Sequence, residues 1–140
     1  MALEGFDVRD EVFDWVFEAE KDVERAKRLF DLGDYSMVCF LSQQAIEKAL
    51  KAAIMALLRE SPPRTQDLTV LYSMIRGVLE LGERAKLLPE ISQYYVTARY
   101  PNAGLRRPSI SFSKAQAERA LGVTVYVVER VKEAIASRRG

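Results

Sequence analysis

The sequence predicts an all-α fold, an antiparallel up-and-down bundle of about five helices. Apolar residues recur at steps of three and four through its long stretches. Glycine and proline cut the chain into helix-sized pieces at Gly33, at Pro62-Pro63, at Gly82 and between Pro101 and Pro108. No stretch reads as a strand with a partner. At 140 residues, 49% of them hydrophobic, the chain is one domain, residues 1–140, able to bury a real core.

The first helix is expected from about Val8 to Leu32. Val8, Val12, Trp15, Val16, Ala19, Val23, Ala26 and Phe30 form its apolar face, and Glu11, Glu18, Lys21, Asp22 and Arg25 take the other side. Gly33 suits a helix C′ position and Asp34 the next N-cap, so the first two helices should pack antiparallel. The second helix is expected from about Tyr35 to Arg59. Its small-residue face (Val38, Leu41, Ala45, Ala49, Ala52, Ala56) allows close helix approach, and Pro62-Pro63 ends it. A third helix starts near Asp67, capped by Thr65 or Asp67, and carries Leu68, Leu71, Ile75 and Leu79. A shorter fourth covers roughly Pro89 to Tyr100. Residues 101–112 read as a loop. Ser113 and Gln116 match a capping box that opens a last helix, from about Lys114 to Ser137. Within it, VTVYVV is β-branched enough to pass for a strand, but the alanines and charges around it keep helical steps.

Charge and composition narrow the function classes. The net charge is +1, from 21 basic and 20 acidic residues, which argues against a general polyanion binder and leaves room for a local basic patch. The single Cys39 fits a reducing compartment and reads as a small buried hydrophobe. No stretch resembles a signal peptide or a membrane span, so a cytoplasmic protein with no membrane partner is expected. The chain has no histidine. That removes imidazole as general base, proton shuttle and metal ligand, and rules out a Ser-His-Asp triad. No P-loop, G-x-G-x-x-G, G-x-S-x-G or EF-hand spacing occurs. No metal, cofactor or catalytic residue is therefore expected.

Two stretches invite a functional reading. In FLSQQAIEKALKAAI, Gln43, Gln44, Glu47, Lys48 and Lys51 share one polar stripe beside the alanines. It is either a solvated face with an ordinary Glu47–Lys51 pair, or a surface facing another helix, a subunit or an anion. In YYVTARYPNAGLRRPS, Arg99 either serves the helix C-terminus or forms an anion site with Arg106, Arg107 and the tyrosines.

The Trp-bearing first helix, then Gln43-Gln44-Ala45-x-Glu47-Lys48-Ala49-Leu50-Lys51, then Pro63-x-Thr65-x-Asp67-Leu68, then Ala98-Arg99-Tyr100-Pro101, together resemble the HEPN domain family (higher eukaryotes and prokaryotes nucleotide-binding). The resemblance runs from about residue 8 to 136. It implies a five-helix bundle, usually a homodimer, that binds a nucleotide or RNA, or works beside a minimal nucleotidyltransferase as a toxin–antitoxin-like pair. It also implies that Gln44, Glu47, Lys48, Lys51, Arg99, Tyr100 and Arg106 line a ligand groove or the dimer interface. Some relatives are metal-independent ribonucleases with an R-x(4–6)-H motif. Here Arg99 matches the arginine, but Gly104, Leu105 and Arg106 occupy the histidine window. Many relatives carry T-H-D-L where this chain has Thr65-Gln66-Asp67-Leu68. The resemblance thus implies a binding module. A ribonuclease lacking its histidine and a purely structural dimer are the alternatives.

Overall fold

The computed structural model describes residues 8–139. It contains α1 (Val8–Asp31), α2 (Tyr35–Ala53), α3 (Leu68–Ile75), α4 (Leu88–Thr97), α5 (Pro108–Ser111) and α6 (Lys114–Arg139), with no strand among the described residues. A π-helical turn, Ile54–Leu58, continues α2, and a 3₁₀ segment, Gly82–Leu87, leads into α4. The predicted bundle is present. The difference lies in short pieces: α5 sits inside the expected loop, and α3 ends at Ile75, before Gly77.

α2 is the central element, packed by α1 and α6 along its length and by α3 and α4 beside them. Its small residues explain this. Val38, Ala45, Ala49 and Ala52 are buried, with Ile46, Leu50 and Ile54 filling the space that the alanines leave. Each of those large side chains contributes about 1.5–3 kcal/mol by leaving water. VTVYVV lies wholly within α6, where Val123, Thr124, Val127 and Val128 turn inward and the Thr124 hydroxyl donates to the Ala120 carbonyl (2.7 Å).

The α1–α2 corner closes as a Schellman turn. Gly33 has φ +79°, its N–H donates to Phe30 O (3.0 Å), and the Asp34 N–H donates to Leu29 O (2.9 Å). Asp34 occupies the N-cap position, but its carboxylate makes no capping hydrogen bond. Asp67 does cap α3, accepting from Thr69 N (2.9 Å). The capping box of α6 is complete: Gln116 N donates to Ser113 Oγ (3.1 Å) and Ser113 N to Gln116 Oε1 (2.9 Å).

Candidate functional site

The polar stripe of α2 is not a solvated face. Gln43 is fully buried, and its amide N–H groups donate to Glu47 Oε1 (3.2 Å) and to the Gln66 carbonyl (2.9 Å). Gln44 donates to Gln43 Oε1 (2.7 Å), and Lys51 to Glu47 Oε2 (2.9 Å). The Lys51 ammonium also lies 5.7 Å from the Trp15 ring centre. The stripe is therefore a half-buried chain of side chains that joins α2 to α1 and to the 62–67 segment.

Asp22 corrects the sequence expectation. Placed there on the outer side of α1, it is 2% exposed. It shares the inner face with Ala19, Val23 and Ala26, and accepts from Lys48 Nζ (2.5 Å) and Arg25 Nη1 (3.1 Å). A buried carboxylate needs such partners. Charge periodicity places it outward. Its step of three from Ala19 is the signal that it lies inward.

A second grouping forms around Arg99. Its Nε donates to the Tyr95 carbonyl (2.8 Å), as expected of an arginine in the last helical turn. Its guanidinium carbon lies 4.7 Å from the Phe40 ring centre, 4.6 Å from that of Tyr95 and 4.8 Å from that of Tyr100. No carboxylate among the described residues pairs with Arg99. Tyr100 is 51% exposed, and Arg106 and Arg107 are exposed in the loop that follows. Between Glu90 and Glu118 the sequence has no acidic residue but carries Arg99, Arg106, Arg107 and Lys114. A near-neutral chain thus carries a basic stretch of sequence on both sides of the 101–107 loop.

Phe40 is not among the residues that the sequence singles out. It stands one helical turn before Gln44 on α2, so the aromatic floor of Arg99 and the polar stripe are continuous along one helix. Arg99 and Tyr100 are thus brought together. Glu47, Lys48 and Lys51 are spent on partners within the fold.

The histidine window is shaped by the backbone. Gly104 has φ +132°, and a Cβ there would meet Thr97 Cγ2 at 3.0 Å. Leu105 packs on the core. Arg106 alone of the three presents its side chain to solvent.

Other titratable groups nearby are structural. Burial above all, then nearby Glu90, pushes the Cys39 thiol up to about 12. Burial, then its hydrogen bond to Glu90, raises the Tyr94 phenol above its ordinary range. Arg119 Nη2 also donates to Glu90 (3.2 Å), tying α6 to α4. The hydroxyl of Thr69 is the main influence holding the Asp67 carboxyl below its usual range. Among the described residues no group of three His, Cys, Asp or Glu is placed to hold a metal, and no helix is long and apolar enough to cross a membrane.

Fold and site define a helical bundle with an arginine fork held among aromatic rings and without a carboxylate partner among the described residues. The chain belongs to the HEPN domain family, whose model matches residues 12–134. It is similar to the crystal structure of TT1696 from Thermus thermophilus, with a TM-score of 0.75 and 29% identity over 88% of this chain and 97% of that one. It is also similar to ST0689, an archaeal HEPN homologue, with a TM-score of 0.72 and 26% identity over 89% of this chain and 97% of that one. No curated protein matches it.

Proposed function

We propose that this HEPN domain is a binding module, working as a homodimer, that seats a phosphate of a nucleotide on Arg99. The observation that carries the reading is the Arg99 guanidinium, held over three aromatic rings with no carboxylate partner among the described residues. Guanidinium pairs with phosphate through two parallel hydrogen bonds, and it is weakly enough hydrated to be held against rings. Tyr100 offers an exposed face for a base to stack on, and Arg106 is exposed in the loop that follows. Gln44 follows Phe40 by one helical turn on α2 and is half-exposed, so it is the stripe residue offered to the ligand. Glu47, Lys48 and Lys51 brace that helix face through their bonds within the fold. A minimal nucleotidyltransferase is the protein partner in this proposal, as the family resemblance implies, and the protein acts in the cytoplasm.

The proposal assigns no catalytic residue. Phosphodiester cleavage needs a group that moves a proton near neutral pH, as an imidazole does, and the chain has no histidine. Gly104, Leu105 and Arg106 supply no such group.

Calorimetric titration with ATP and GTP tests the reading. Saturable heat with either nucleotide, lost in Arg99→Ala, is the expected result. Binding that survives Arg99→Ala would move the site elsewhere, and no heat from either would remove free nucleotide as the ligand.

A further inference from the structure

Three rings surround the Arg99 guanidinium, but they do not hold it equally. Tyr95 and Tyr100 lie within four residues of Arg99 in the same stretch of chain. Phe40 comes from α2, the central helix, and is half-buried there. Its ring centre lies 6.3 Å from that of Tyr95, with the guanidinium close to both. Phe40 is thus the ring that links the guanidinium to the central helix of the fold.

This link has a chemical consequence. A guanidinium offers two-donor edges at Nε–Nη and at Nη1–Nη2. The Arg99 Nε is already committed to the Tyr95 carbonyl (2.8 Å), which leaves Nη1–Nη2 as the one complete fork. Neither Nη donates to a described residue. A fork held in place before binding loses less rotamer freedom when a ligand arrives than one on a free stem.

We infer that Phe40 is the positioning residue of this site: its ring holds the Arg99 guanidinium so that the Nη1–Nη2 edge takes two phosphate oxygens end-on. This rests on the reading of Arg99 as the anion anchor. It adds that the anchor works only while a residue outside the A-R-Y-P segment supports it.

Phe40→Leu keeps an apolar side chain and removes the ring, whereas Phe40→Tyr keeps the ring face. Two measurements separate the outcomes. The first is the side-chain Nε–Hε NMR signal of Arg99 in the free protein, assigned by its loss in Arg99→Lys. In wild type, ring currents and the bond to Tyr95 should displace it from the other arginines and slow its exchange with water. Phe40→Leu should return it toward the others and speed its exchange, and Phe40→Tyr should not. The second is ATP affinity by calorimetry. It should fall about tenfold in Phe40→Leu and stay within about twofold of wild type in Phe40→Tyr. Should Phe40→Leu melt early, Phe40→Met supplies the same comparison. An Arg99 signal unmoved by Phe40→Leu overturns the inference whatever ATP does. Wild-type binding of ATP that Phe40→Leu leaves intact overturns it too, while sparing Arg99 as anchor. A wild type that takes up no ATP overturns the anion reading itself, and the role given to Phe40 falls with it.

Discussion

Replacing Asp22 with alanine would leave Lys48 facing α1 without its counter-charge. The carboxylate is 2% exposed and joins Lys48 at 2.5 Å. Removing one member of a buried pair costs more than the pair contributes, because the other charge stays desolvated. Asp22→Ala should lose about 2–3 kcal/mol in urea unfolding, a little below the fully buried case since Lys48 keeps some contact with water. A loss under about 1 kcal/mol would mean that the pair behaves as a surface bridge. Cys39 gives a prediction with a defined pH window. Its thiol rises from an ordinary 9.0 to about 12 through burial, so the folded state holds its proton where the unfolded chain has released it. The stability this contributes is present below pH 9 and is lost as pH rises toward about 12. Cys39→Ala should flatten part of that alkaline decline in denaturation midpoints, and the thiol of the folded protein should resist alkylation at neutral pH.

Among the elements, the 101–107 loop and the start of α6 each depend on the backbone geometry or cap of one residue. Gly104 carries φ +132° with Thr97 Cγ2 close to where a Cβ would stand. Gly104→Ala should therefore cost about 1–3 kcal/mol. Arg106→His, in the exposed position of the same window, should cost under about 0.5 kcal/mol. Thermal melts of the two variants check the ordering, and equal losses would contradict the backbone account. Ser113→Ala, which breaks the capping box, should cost about 1 kcal/mol. The capping box is legible in the sequence because it is local: two residues three apart satisfy each other's backbone groups. So are the spans of α1, α2 and α6, whose apolar periods are long. The π-helical turn and α5 are not. They depend on how the chain meets the rest of the fold, and a four-residue helix carries no period to read. Phe40 escapes the sequence for the same reason, whereas Asp22 could have been placed by its step of three from Ala19. Helical spacing shows that residues share a face, but not which other element that face meets.

The whole molecule is close to neutral, yet its charges are unevenly spread along the sequence. Arg99, Arg106, Arg107 and Lys114 fall in a stretch without acids, while α1 holds Asp10, Glu11, Asp14 and Glu18 close together. Anion binding at Arg99 should weaken with salt, but gently, because few charges take part. If the domain works as a homodimer, sedimentation should give twice the mass of one chain at micromolar concentration, and a monomer there would leave each site to act alone. The central claim is that Arg99 holds phosphate by its planar fork and not by charge alone. Arg99→Lys tests this most directly, since it keeps the charge and removes the fork. Calorimetric titration of that variant with ATP should show affinity reduced by at least about tenfold against wild type. Affinity equal to wild type would contradict the account.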